Sequence, residues 1–144
     1  MRFLLTIAAL LAVAGVLVAA DQPAVKYVGR DTVAAALAKG GSLVSATDLT
    51  VSGSHREKPG QVEIHDKETD VFYITDGEAT FVTGGKMIGG KQAKAGQWLG
   101  SDIQGGTTHR LSKGDVMVIP AGTPHWFKEV PKSVSYYVVK VLKP

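Results

Sequence analysis

Two short stretches of this sequence carry the side chains best suited to binding a metal ion. The first holds Glu63, His65 and Asp70, and the second ends in His125. Carboxylate oxygens and neutral imidazoles bind divalent cations, and a cation offsets the cost of burying carboxylates side by side. The four residues are therefore candidate metal ligands, provided that the fold brings the stretches together. Alternatively, the two carboxylates are solvated at the mouth of a barrel or paired with nearby basic side chains.

Short apolar runs separated by turn residues fill the chain from residue 48 onward, a pattern typical of strands. No segment of helical length lies between the runs, which favours a closed barrel or sandwich over a parallel α/β sheet. One short helix is predicted over 31–41, ended by two glycines. Strands are expected near residues 48–56, 61–65, 70–75, 78–83, 95–99, 107–111, 115–119, 125–129 and 134–142.

Alternation along these strands indicates which candidate ligands face the interior. Residues two apart on a strand share a face, so Asp70 lies with Phe72, and His125 lies with Phe127. The two phenylalanines are natural core residues. Asp70 and His125 are therefore expected to point into the barrel, near the strand ends.

The first stretch resembles one of the paired motifs of the cupin superfamily. That motif runs His-x-His, four residues, Glu, six residues, Gly, and the same spacing here holds Glu63, His65, Asp70 and Gly77. Two ligand positions differ in type, since Glu63 replaces a histidine and Asp70 replaces a glutamate.

The second stretch resembles the other cupin motif, which runs Gly, five residues, Pro-x-Gly, two residues, His, three residues, Asn. Here Gly114, Pro120, Gly122 and His125 match in type and spacing, and Glu129 stands at the position of the Asn. The resemblance is to small single-domain cupins of the secreted bacterial type. It implies an all-β fold, the cupin double-stranded β-helix, which is a jelly-roll-like antiparallel barrel, here with a short N-terminal helix.

The resemblance also implies roles for individual residues. Glu63, His65, Asp70 and His125 occupy the four metal-ligand positions, for an ion such as manganese, iron, nickel or zinc. Glu63 is in addition a candidate catalytic base. Two carboxylates around a divalent ion leave the ligand set nearly neutral, which should attract anionic substrates less. A metal-free pocket, also found in the superfamily, is the alternative.

Other side chains are candidates for catalysis or for contact with a substrate. His109 is a candidate general base, because alternation places it with inward residues and an imidazole titrates near neutral pH; otherwise it is simply hydrogen-bonded at the barrel rim. The glycine-rich stretch 83–108 could shape a pocket, or could form an external hairpin. The candidate substrate-binding residues are His55, Arg56, Phe72, Trp98 and Phe127.

The N-terminus predicts export. A basic start, an apolar run over 3–18 and small residues up to Ala20 are typical of a secretory signal peptide, and the run is short for a membrane span. Residues 1–20 are thus predicted to be removed, leaving a protein of the periplasm or the extracellular space with no membrane contact. An extension with the short helix over 21–47 would then precede a barrel over 48–144.

Composition narrows the function further. The net charge of +3 comes from scattered basic residues without a basic block, which argues against nucleic-acid binding. The expected partner is a small molecule, and apolar residues on outward strand faces allow a homodimer. Two functions stay open. One is a metal-dependent oxygenase, decarboxylase, lyase or isomerase; the other is a non-catalytic protein that binds a sugar or organic acid without metal.

Overall fold

The computed structural model describes residues 24–143, so the predicted signal peptide lies outside the described residues. Within that range, one helix, α1 (Arg30–Lys39), precedes twelve strands. The strands are β1 (Gly41–Ser45), β2 (Leu49–Arg56), β3 (Val62–His65), β4 (Glu68–Thr83), β5 (Lys86–Ile88), β6 (Lys91–Lys94), β7 (Gln97–Gly100), β8 (Asp102–Gln104), β9 (Thr107–Ser112), β10 (Val116–Ile119), β11 (His125–Glu129) and β12 (Val134–Leu142). The predicted all-β fold with one short helix is confirmed. No helix in the described part of the chain is long and apolar enough to cross a membrane.

Strand β4 joins the two halves of the barrel. Its first half pairs with β10 and β12, and its second half pairs with β9 and β11, all antiparallel. The sequence predicted two strands here, 70–75 and 78–83, with a turn between them. That prediction is wrong in detail, because the chain bends at Gly77 (φ 75°) while staying in the ladder with β12.

Two antiparallel layers result from this bend. The first runs β1-β2-β12-β4-β10, and the second runs β6-β7-β3-β11-β4-β9, with a small β5-β8 pair beside them. Aromatic rings fill the space between the layers: the centroid of Phe81 lies 4.6 Å from that of Phe127, and Tyr136 lies 5.0 Å from Phe127. Burying each such ring contributes about 1.5–3 kcal/mol. This core supports the strand ends that carry the candidate ligands.

Four short strands, β5 to β8, lie in the glycine-rich stretch 83–108, where the sequence predicted only a strand at 95–99. Strands β6 and β7 form a hairpin that extends the second layer beyond β3, and β5 pairs with β8. Strand β1, which the sequence also did not predict, pairs with β2. Helix α1 packs closely on β2, since a Cβ at Gly53 would come within 2.8 Å of the Cβ of Ala36.

Replacing Gly77 with alanine is expected to lower the free energy of unfolding by about 3 kcal/mol or more, because a positive φ and a steric clash act together. An added Cβ would meet the carbonyl of Ser133, with the carbonyl carbon 2.9 Å away. Gly84 is a matched control, with φ 73° and open space around its Cβ position. The measurement is a urea unfolding titration of both variants, in which Gly84→Ala should lower the free energy of unfolding by about 1–2 kcal/mol. Equal losses would contradict the packing argument.

Candidate metal site

Strand pairing brings the two motif stretches together. His125 at the start of β11 lies directly opposite Glu63 on β3, and His65 lies two residues further along β3 on the same face. The backbone N–H of Gly122 donates to the carbonyl of His65 at 2.7 Å, which ties the turn before β11 to the end of β3. Asp70 enters from β4 and is buried. Glu63 and His125, 62 positions apart in the chain, thus become neighbours because β3 and β11 are adjacent strands.

The four candidate ligands form one cluster. Nε2 of His65 lies 3.3 Å from Oε2 of Glu63 and 3.5 Å from Oδ2 of Asp70, and that same oxygen lies 3.8 Å from Nε2 of His125. The two imidazole centroids are 5.1 Å apart. One ligand atom from each of Glu63, His65 and His125 lies within 4.8 Å of the others. Such spacings suit ligand bonds of about 2 Å to one ion.

A buried donor atom without a hydrogen-bond partner indicates that the cluster suits a divalent metal. His65 is 4% exposed, and its Nε2 has no hydrogen-bond partner among the described residues despite the carboxylates beside it. A buried polar atom without a partner costs free energy, and coordination to a cation removes that cost. In His125, Nδ1 lies 2.9 Å from the carbonyl oxygen of Thr123 and donates to it, which leaves the Nε2 lone pair facing the cluster.

Protonation states in the cluster also suit a metal. Burial lowers the pKa of His125, and it outweighs the Thr123 carbonyl and the nearby carboxylates, which act in the opposite direction. The imidazole is therefore neutral near pH 7. Burial alone would raise the pKa of Glu63, but contact with His65 and the charges of neighbouring groups, Lys140 among them, lower it overall. An ionised carboxylate and a neutral imidazole are the forms that bind cations.

The sequence did not predict two residues of the site, Lys140 and Glu68, and the carboxylate of Glu68 groups with His65 and Asp70. Lys140 lies directly opposite Asp70 in the β4-β12 ladder, and its Nζ lies 2.8 and 3.0 Å from the two oxygens of Asp70. The same Nζ lies 2.9 Å from Oε2 of Glu68. Burial would lower the pKa of Lys140, but the two carboxylates outweigh it and raise the pKa. The signal was available, because Lys140 is the lone charged residue of β12 and alternates with inward Tyr136.

Because of Lys140, the four candidate ligands are not equally available to a metal ion. A protein cation already neutralises Asp70 and contacts both of its oxygens. Glu63, by contrast, has no lysine or arginine within ion-pair distance in the described chain, and its neighbours are the two histidines. Glu63, His65 and His125 are therefore the ligands most available to an ion, a two-histidine, one-carboxylate set.

A cavity of about 80 Å³ opens next to the cluster. It has room for a small molecule, since a single water needs about 10–15 Å³ on the same measure. Of the predicted substrate-binding residues, Arg56, Phe72 and Phe127 line it. The full lining is Arg56, Gln61, Glu63, Asp70, Phe72, His125, Trp126, Phe127, Tyr136, Val138 and Lys140.

Two other predicted site residues, His55 and Trp98, do not line this cavity. His55 was predicted to contact a substrate, but its Nδ1 lies 2.8 Å from Oγ of Ser135, whose hydroxyl donates to the carbonyl of Leu37 in α1. This strand face lies under the helix, opposite the face that carries Arg56. Trp98 pairs with the residue between Glu63 and His65, on the other face of β3, and its Nε1 donates to the Asp66 carboxylate at 3.1 Å.

The predicted general base His109 lies in a different cavity. Its Nε2 is 2.8 Å from Oγ1 of Thr83, and it shares that cavity with residues 117–120 and Thr123. None of the four candidate ligands lines it. His109 and the four candidate ligands therefore belong to the same barrel but line separate cavities.

Comparison with known proteins agrees with this architecture. Residues 46–144 match the sequence model of the family described as Cupin. No curated protein matches the sequence. Among solved structures, a protein from Bacillus halodurans is 15% identical with a TM-score of 0.52, over 72% of this chain and 69% of that one. The cupin domain of Cnp3 from Schizosaccharomyces pombe is 16% identical with a TM-score of 0.52, over 72% of this chain and 59% of that one.

These structural likenesses show the fold alone, because the identities are low. The chain also spans only 59% of the Cnp3 chain and 69% of the Bacillus halodurans chain. The family match is the stronger finding, since it covers well over half of this sequence and includes both motif stretches. Together with the antiparallel barrel, it shows that this protein belongs to the cupin family.

Proposed function

We propose that this protein binds a divalent metal ion through Glu63, His65 and His125 and acts on a small molecule in a metal-dependent reaction of the dioxygenase type. The observation that carries the proposal is the buried Nε2 of His65, which has no partner among the described residues and lies beside the other donors. Manganese, iron, nickel and zinc all accept such ligands. Export, predicted from residues 1–20, is part of the same proposal.

Several groups of the protein have separate roles at this site. The Thr123 carbonyl orients the His125 ring by accepting its Nδ1–H. Lys140 holds Asp70 in place beside the histidines by contacting both of its carboxylate oxygens. Glu63 is partly exposed, so its carboxylate serves as a ligand or takes a proton from a bound molecule. A divalent ion, when bound, supplies Lewis acidity toward a molecule in the cavity.

A second candidate function is the binding of a sugar or organic acid without metal and without catalysis. The observation in its favour is the Lys140–Asp70 pair, because an ammonium already offsets the most buried carboxylate of the site. The two functions differ in one measurable property, which is stoichiometric metal.

Metal binding is the direct test. Calorimetric titration with Mn²⁺, and elemental analysis after dialysis, are expected to give one ion per chain. Glu63→Gln should weaken Mn²⁺ binding by at least about tenfold, since even groups outside the ligand set have effects of that size. Glu78→Gln is the control, because Glu78 is exposed and outside the cavity. A folded wild-type protein that binds none of the four metals would refute the proposal and leave metal-free binding.

A further inference from the structure

We propose that Arg56 recognises a carboxylate of the substrate, so that the cavity takes a small organic anion. This inference rests on the proposed function for the site's position and names the substrate class. The proposal is based on the guanidinium of Arg56. This cation lines the cavity, is positioned by several contacts and forms no ion pair with any described residue.

The contacts of Arg56 hold its guanidinium without neutralising it. The guanidinium carbon lies 4.9 Å from the centroid of the Phe127 ring, and Nε donates to the hydroxyl of Tyr136 at 3.4 Å. Aromatic stacking and a hydroxyl orient a guanidinium plane, but neither supplies negative charge. Neither of the two carboxylates that line the cavity, Glu63 and Asp70, lies within ion-pair distance of Arg56. The forked N–H groups of Arg56 are therefore available to a ligand.

Gly60 makes room for this arrangement. A Cβ at that position would come within 2.8 Å of Nη1 of Arg56, so the guanidinium lies against bare backbone. The backbone itself is fixed, because the N–H of Gly60 donates to the carbonyl of Phe127 at 2.9 Å, and Trp126 Nε1 donates to the Gly60 carbonyl at 2.8 Å. A group positioned before binding loses less entropy when a ligand arrives.

Charge in the cavity favours an anion. The ligand set alone predicted little attraction for anionic substrates, but Arg56 and Lys140 add two positive charges to the cavity lining. Lys140 balances Asp70, and Glu68 lies outside the cavity lining. With a divalent ion on Glu63, the lining has a net positive charge. A carboxylate would accept two parallel hydrogen bonds from Arg56, whereas a neutral sugar would leave the guanidinium without a counter-ion.

Cavity size limits the anion to a few heavy atoms, since the volume is about 80 Å³. Malonate, pyruvate and succinate are suitable probes, with the neutral malonamide as a matched comparison. Calorimetry on the Mn²⁺-loaded wild type is expected to detect at least one of the three acids and no malonamide. Arg56→Met should weaken binding of that acid about ten- to a hundredfold at unchanged Mn²⁺ content, the effect of losing a charge-assisted hydrogen-bonded pair.

Two further variants provide a charge control and an independent test of the role of Arg56. Arg110→Met removes the same charge from an exposed position outside the cavity and should leave acid binding unchanged. Gly60→Ala displaces the Arg56 guanidinium while retaining its charge, and it should weaken acid binding even if Arg56→Met fails to fold. Acid binding that survives in both folded Arg56→Met and Gly60→Ala would overturn the inference, as would failure of all three acids to bind the wild type.

The inference and the proposed function can fail separately. Acid binding that depends on Arg56 in a protein that takes up no metal would support the inference and refute the metal-dependent function. Stoichiometric Mn²⁺ binding together with acid binding that does not depend on Arg56 would support the metal-dependent function and refute the inference. The anion would then bind the ion directly.

Discussion

Replacing His125 with alanine is expected to weaken Mn²⁺ binding by at least about a hundredfold, and His65→Ala should have an equal effect. Each substitution removes one nitrogen donor from a set whose atoms lie within 4.8 Å of one another. The remaining donors cannot replace it, since Asp70 is held at both oxygens by Lys140. The measurement is a calorimetric titration of wild type and variants at one pH.

Thermal unfolding gives a second readout of the same change. Saturating Mn²⁺ should raise wild-type stability by about 2.7 kcal/mol at a hundredfold excess over the dissociation constant, and the variants should lose that increment. His55→Ala is the matched control, because His55 lies under helix α1 and outside the cavity. Equal stabilisation by Mn²⁺ in wild type and both variants would show that any ion binds elsewhere.

Replacing Lys140 with methionine should destabilise the metal-free protein by about 3 kcal/mol, because it leaves a buried carboxylate without a counter-charge. Asp70 is 3% exposed and would lose both contacts to the ammonium. Since the pKa of Lys140 is raised by folding, the ion pair stabilises the protein fully below the ordinary lysine pKa, and that contribution is lost only as the pH rises through the raised value. Urea unfolding at pH 7 is therefore the appropriate measurement.

Mn²⁺ should stabilise Lys140→Met more than it stabilises the wild type, because the ion supplies the missing positive charge and Asp70 becomes free to coordinate it. Lys140→Arg, which keeps the charge, should lose less stability. Asp70→Asn combined with Lys140→Met should also cost less than Lys140→Met alone, since no buried charge is then left unpaired. A stable Lys140→Met protein with unchanged Mn²⁺ response would contradict the role assigned to this lysine.

Local patterns predicted most of the strands and the inward direction of the key side chains. Alternation with Phe72 and Phe127 placed Asp70 and His125 in the interior, and both are buried. Alternation did not show where His55 lies, because the face of β2 that it shares with Leu49, Val51 and Gly53 lies under helix α1 and not toward the barrel interior. It also did not predict the bend of β4, since Gly77 permits either a turn or a continuous bent strand.

The sequence by itself determined the family and the identity of the candidate ligands, because motif spacing and strand alternation are local properties of the chain. Only the tertiary structure decided which charges meet at the site. Lys140 reaches Asp70 because β12 and β4 are paired in one register, and Arg56 has no such partner because none of the described carboxylates comes within ion-pair distance of it. Pairing between distant strands depends on the whole barrel, so the charge balance that favours an anion could not be predicted from the two motifs alone.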